Sequence, residues 1–257
     1  MNIYTYDNTF DGFLTCVFEC YNRKDFPVDI CSSVGEQKQL FAERIEIQTD
    51  QKKADRVWKG VRYKLSGRNS QLPYYAFLSE EEGVEMKIYR FLRKLFSTQF
   101  NIETDYGDSD VLYLTQLSQK VKKEAMRMLQ FVRFQRTKEG IYFCGIEPRY
   151  DVIPMIVSHY QKRFADQKWL IYDLHRNYGA FYGKQKVEEV IISRKQFNTL
   201  NGQVNKALLE EGEDFYQKLW KLYYKQITIQ ERKNLRLHRQ FLPRRFWKYL
   251  PEKQVVN

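Results

Sequence analysis

The spacing of apolar and polar positions divides the chain into a helical first half and a mixed second half. Residues 2–6 (NIYTY) read as a short strand. From Thr9 onward Phe10, Phe13, Leu14, Val17, Phe18 and Tyr21 recur at helical spacing and form one stripe. Asn8 or Thr9 is placed to cap that helix, with Asp11 in the first turn, where negative charge is favoured. Over 44–49 (RIEIQT), Ile45 and Ile47 alternate with polar neighbours, the pattern of a half-buried strand. Helical periodicity then runs through 50–65, 71–78, 80–96 and 108–133, the last by way of Leu114, Leu117, Val121, Met128, Leu129 and Val132.

After Phe134 the period changes from helical to alternating. Strands are predicted at 135–146, 168–174, 178–182 and 187–192, with a helix over 151–164 after the first, and Asn177 and Gly179 supply turn chemistry between the second and third. Helices return over 202–225 and from Thr228 onward. This order predicts an α+β protein with a helical N-terminal half, a mostly antiparallel sheet with packed helices after about residue 135, and a helical, basic C-terminus. No repeat, low-complexity tract or long linker interrupts it, so 1–257 reads as a single domain with a soft internal boundary near 134.

Charge adds a partner class. With 43 Lys+Arg against 32 Asp+Glu the formal net charge is +11, which raises encounter rates and non-specific affinity for any polyanion. The 43% hydrophobic content is ample for a core. No apolar run approaches a membrane span, and MNIYTYDNTFDG lacks the pattern of a secretion signal, so a cytoplasmic protein without membrane contact is expected.

Site chemistry is sparse. Cys16, Cys20, Cys31 and Cys144 suit a reducing compartment, and a CxxxCxxC cluster motif starting at Cys16 fails because its third position is Arg23. Cys16 and Cys20 read as small buried residues. His159, His175 and His238 are the only histidines; none stands in an HxH, HExxH or HxE setting, and His159 reads as structural. GxGxxG, GxxxxGK[ST] and GxSxG are missing, so no cofactor or metal is expected. Glu147 and Asp151 fall at a strand-to-helix junction. There they serve as helix caps, the reading favoured for Asp151, or as paired carboxylates for acid–base or metal chemistry, with Asp173 as a third. Trp169, Tyr178 and Tyr182 form an aromatic platform beside Arg176 or pack a core.

The densest signal is RKNLRLHRQFLPRRFWK (232–248), which holds seven Lys and Arg and no acid. If 228–240 is helical, Arg232, Arg236 and Arg239 recur at i, i+4, i+7 and make a guanidinium comb backed by Leu235, Leu237 and Phe241. Phe246, Trp247 and Tyr249 stand beside Arg244 and Arg245, a pairing suited to phosphates and unstacked bases. The competing reading is a solvated basic tail whose aromatics anchor it to a core.

Three segments in order, YDNTFDGFLTCVFECY (6–21), FVRFQRTKEGIYFCGIEPRYDVIPMIVSHYQKRFADQKWLIYDLHRNYGAFY (131–182) and LWKLYYKQITIQERKNLRLHRQFLPRRFWKYLPE (219–252), make the chain resemble the bacterial "probable DNA metabolism protein" family. Molecular function in that family is unknown. Its members are typically encoded beside a radical-SAM protein assigned to DNA modification or repair, and some are fused to a uracil-DNA glycosylase-like domain. The matching positions are Phe10, Gly12 and Phe13; Glu147, Pro148, Asp151, Pro154 and His159; and Arg232, Asn234, Arg239, Pro243, Arg244, Arg245 and Trp247. No catalytic role travels with them, and no glycosylase motif is present. The resemblance implies a DNA-binding adaptor of a radical-SAM enzyme. The alternatives are a DNA or nucleotide hydrolase using Glu147, Asp151 and Asp173, and an RNA-binding module.

Overall fold

The computed structural model describes residues 2–33, 43–67, 69–192, 197–198 and 202–254. The chain falls into two compact units, Met1–Lys123 and Glu124–Asn257. The change of character expected near 134 lies inside the second.

In unit 1, β1 (Asn2–Tyr6) is the centre of a three-stranded parallel sheet, between β2 (Asp29–Ser32) and β3 (Glu43–Glu46). Helix α1 (Phe10–Asn22) connects β1 to β2. Thr9 is its cap, accepting from Gly12 N at 2.9 Å, and Asp7 accepts in turn from Thr9 Oγ1 at 2.6 Å and Thr49 Oγ1 at 2.8 Å. Of the stripe read from sequence, Phe13, Leu14 and Val17 are at most 1% exposed and Phe10 and Phe18 are half-buried, whereas Tyr21 is exposed; Cys16 and Cys20 are buried beside them. Burial pushes the Cys20 thiol up to about 12 and raises that of Cys16, so both are inert at neutral pH.

Helices α2 (Gln51–Lys64), α3 (Leu72–Phe77), α4 (Val84–Ser97) and α5 (Ser109–Phe131) follow close to their predicted spans. Asp50 caps α2 by accepting from Lys52 N and Lys53 N. Strand β2 was not anticipated: DICS buries only Ile30, and one apolar residue sets no period.

Unit 2 holds a five-stranded sheet ordered β4 (Gln135–Arg136), β5 (Ile141–Ile146), β6 (Lys168–Asp173), β7 (Tyr178–Tyr182), β8 (Val187–Val190). All neighbours are antiparallel except β5 and β6, which are joined by the crossover helix α6 (Ile153–Arg163) and therefore run parallel. The α+β class and the mostly antiparallel sheet stand. The single strand expected over 135–146 is a hairpin, because Gly140 takes φ 72° and turns the chain between β4 and β5. The helix expected over 202–225 begins only at Glu213: Gly202 packs its Cα against Gly145, Val204 forms a bridge with Phe197, and a 3-10 turn covers Lys206–Leu208 before α7 (Glu213–Ile227).

Trp169, Ile171 and Tyr182 are core residues, with the Trp169 ring 5.4 Å from Tyr182 and 6.2 Å from Tyr160. The aromatic platform is thus packing. His159 lies exposed on α6 with its ring edge-on to Tyr160 at 5.3 Å. No described helix is long and apolar enough to cross a membrane.

Candidate nucleic-acid interface

The basic run does not fold as one helix. Asn234 is an N-cap, its side chain accepting from Leu237 N at 3.0 Å, and it starts α8 (Leu235–Phe241), only seven residues long. Arg232 ends a separate 3-10 turn, Gln230–Arg232, so the three-arginine comb is broken. Arg236 and Arg239 remain on α8, exposed and three residues apart. The physical reason is competition: Asn offers its side chain to the backbone and favours a helix start over a helix interior.

Pro243 then opens a 3-10 stretch over Arg244–Tyr249, which the core anchors. Phe246 is 2% exposed with its ring 5.2 Å from Phe131, and Trp247 Nε1 donates to Leu242 O at 3.0 Å. The aromatics of the run are therefore mainly anchors. Arg245 lies over the Phe246 ring at 4.4 Å, Lys248 over Tyr249 at 4.9 Å and Arg244 near Trp247 at 5.9 Å, so each cation rests on a ring of its own segment.

This anchoring brings the run to the strand-to-helix junction after β5. Glu124, 2% exposed, accepts from Arg149 N at 2.9 Å with one oxygen and ion-pairs with Arg245 through the other. Lys248 Nζ donates to Glu147 at 2.6 Å, and the Tyr249 hydroxyl donates to the same oxygen. Burial alone would raise the Glu147 pKa, but Lys248 and Tyr249 outweigh it and hold the carboxyl below its usual range.

Asp173, with no exposed surface, accepts from the backbone N–H groups of His175 and Arg176 at 2.9 and 3.1 Å and from the Arg176 guanidinium at 2.9 Å. That guanidinium also donates to Pro148 O at 3.3 Å and Arg149 O at 3.2 Å. A buried ion pair thus fixes the 148–149 loop. Asp151 does not cap α6. The cap position is Val152, without a side-chain bond, and the Asp151 carboxylate instead accepts from the Tyr178 hydroxyl.

The three candidate carboxylates thus bond different partners, and no group of three potential metal ligands exists among the described residues. What does converge is positive charge. Arg149, Arg244, Arg245 and Lys248 line one cleft of about 500 Å³, with His175 exposed at its edge and Glu147 as the lining carboxylate. Arg245 pairs with Glu124 and Lys248 with Glu147, and Arg149 and Arg244 add two further positive charges to the lining. A second cleft of about 790 Å³ takes Arg232, Asn234 and Trp247 together with Lys221, Lys225 and Lys253; Arg236 and Arg239 line neither.

Arg149, His175 and the buried Glu124 were missed in the sequence. Arg149 stands two residues after Glu147 in EPRYD, where a lone arginine sets no pattern. The three segments that meet in the smaller cleft lie up to about a hundred residues apart, a proximity no local pattern encodes.

No curated protein matches the sequence. Among solved structures, the pGpG-specific phosphodiesterase PggH of Vibrio cholerae aligns over 88% of this chain and 99% of its own, at 10% identity and a TM-score of 0.27. Agreement that poor establishes no shared fold and transfers no property. A family model described as a domain of unknown function, DUF4130, matches residues 82–252, which include every lining residue of the smaller cleft and all of the larger one but Lys253 and Gln254. With more than half of its length matched, the chain belongs to the DUF4130 family.

Proposed function

We propose that the protein binds nucleic acid, DNA by preference, as the non-catalytic subunit of a cytoplasmic radical-SAM enzyme in DNA repair or modification. The observation that carries the binding half is the smaller cleft: four Lys and Arg side chains drawn from two distant segments face one lining carboxylate. Guanidinium groups held against rings and buried carboxylates are pre-organised donors for phosphate oxygens. The partnership rests on the resemblance of the three sequence segments to proteins encoded beside a radical-SAM enzyme.

Fluorescence anisotropy with labelled duplex, single-stranded DNA and RNA over a salt series tests the binding. Each phosphate contact adds about 0.9 to the log–log salt slope on duplex and about 0.7 on single strands. Arg149→Gln/Arg244→Gln should therefore lower the duplex slope by nearly two units with the fold intact. An unchanged slope would show that the cleft does not hold phosphates, and equal affinity for RNA would remove the DNA preference. Co-purification with the radical-SAM protein, with and without DNA, tests the partnership. A complex that forms under neither condition would reject it.

A further inference from the structure

The larger cleft is charged in a way that the smaller one is not. Lys221, Lys225, Arg232, Lys233 and Lys253 line it, and among the described residues none of these five cations has an ion-pair partner. The one lining carboxylate, Glu252, is engaged elsewhere: it accepts from Arg133 Nη2 and from Trp220 Nε1, each at 2.9 Å, and neither donor lines the cleft.

Three of the cations come together. Lys221 and Lys225 stand one turn apart on α7, and the Lys253 ammonium donates to the hydroxyl of Tyr224, beside Lys225, at 2.6 Å and lies 5.7 Å from the centre of the Trp247 ring. Ammonium groups gathered without a counter-ion repel one another. A compact anion of several charges relieves that repulsion, and lysine serves phosphate as a point charge. Helix α8 adds an apolar surface to the same cleft through Leu237 and Phe241, one turn apart and 50% and 67% exposed. His238 lies between them in the lining. Its Nε2 is buried without a hydrogen bond, and burial, with Lys253 and Lys233 near, holds the ring neutral at pH 7. A buried polar atom left unpaired calls for a further partner, which a ribose hydroxyl supplies.

We propose that the larger cleft binds a nucleoside phosphate, with its phosphates among Lys221, Lys225 and Lys253 and its base against Leu237 and Phe241. A volume of about 790 Å³ accommodates such a ligand, and Arg232 and Lys233 add charge for more than one phosphate. The same chemistry belongs to a free nucleotide and to the 5′-phosphorylated end of a strand. The site stands independently of phosphate binding in the smaller cleft, because the two clefts share no lining residue.

Isothermal titration of full-length, nuclease-treated protein with ATP, adenosine and tripolyphosphate tests the assignment. ATP should bind in the micromolar range, and adenosine and tripolyphosphate each at least tenfold more weakly. Lys221→Gln/Lys225→Gln should weaken ATP at least tenfold with an unchanged circular dichroism spectrum, and Phe241→Ser, at an exposed position, should weaken ATP while leaving tripolyphosphate unaltered. Arg149→Gln/Arg244→Gln should change none of these affinities, which separates the failure of this site from that of the smaller cleft. A short oligothymidylate with and without a 5′ phosphate distinguishes the sources. A phosphorylated end that binds more tightly than ATP and is equally sensitive to the lysine pair identifies a strand end; the reverse order identifies a free nucleotide. If the lysine pair weakens neither probe, the proposal is overturned. Tripolyphosphate bound as tightly as ATP overturns it too, since that is the behaviour of a basic patch without a base site. Should the lysine variant unfold, Phe241→Ser decides alone: an unchanged affinity for the tighter of the two probes overturns the site.

Discussion

Gly12 shows how one missing methyl group can carry a helix start. A Cβ there would stand 2.2 Å from Asp7 Oδ1 and 2.8 Å from Thr49 Oγ1, inside the network that holds the Thr9 cap. Within a helix alanine normally exceeds glycine by roughly 0.5–1 kcal/mol. At this position the sign should reverse, because displacing Asp7 forfeits hydrogen bonds worth about 1 kcal/mol each, so Gly12→Ala should lose about 1–2 kcal/mol in denaturant melts. Glu124 offers a second case. Its carboxylate is buried and binds both Arg149 N and Arg245. Glu124→Gln keeps an acceptor for the amide and removes the charge, and Arg245 keeps access to solvent at 39% exposure. The expected loss is about 1–3 kcal/mol rather than the larger cost of a fully buried broken pair. DNA affinity should hold or rise, since Arg245 is released toward the cleft; a fall in affinity without a fall in melting temperature would give Glu124 a different role.

Elements tell how far a local pattern reaches. Asn234→Ala should weaken α8 by about 0.5–2 kcal/mol, the usual cost of a lost N-cap, visible as faster amide exchange of Leu237 and His238 with the rest of unit 2 unchanged. The same asparagine explains why the guanidinium comb was misread: helical spacing of Arg232, Arg236 and Arg239 is real in the sequence, and one capping side chain between the first and second cancels it. Long periodic segments such as α2, α4 and α5 were legible because each carries several turns of apolar positions. The hairpin at Gly140 and the turn before α7 were not, since each depends on one or two residues with special backbone geometry. At the site, Glu147, Arg244 and Arg245 were legible as charged groups near a proline or a strand end, and the structure brings them together. Asp151 and Asp173 were legible as carboxylates but not in their roles: Tyr178 reaches Asp151 from 27 residues away, and Arg176, only three residues after Asp173, bonds it through the turn that follows β6.

For the whole molecule, charge sets both acid stability and encounter. The Glu19 carboxyl is lowered first by Lys53 and that of Asp108 first by Lys94; at Glu103, hydrogen bonds from Ser66 and Asn69 outweigh burial and lower it as well. A folded pKa below the unfolded value of about 4 stabilises above that value and ceases to do so as pH falls through the folded one. Burial raises Asp29 and Glu85, which act in the opposite sense. With the lowered group the larger, thermal melts should be flat near neutrality and fall below about pH 4.5; a melting temperature that rises on acidification would show the two raised carboxyls to dominate. The formal +11 also predicts a division of labour between the exposed arginines of α8 and those of the cleft. Rim charges act mainly on the approach of a polyanion, whereas groups that close on a phosphate act on its escape. Stopped-flow binding should accordingly show Arg236→Gln/Arg239→Gln slowing association severalfold at low salt with dissociation nearly unchanged. Arg149→Gln/Arg244→Gln should speed dissociation instead. If the α8 pair alone controls dissociation, the phosphate contacts lie on that helix and the cleft beside Glu147 is a structural junction.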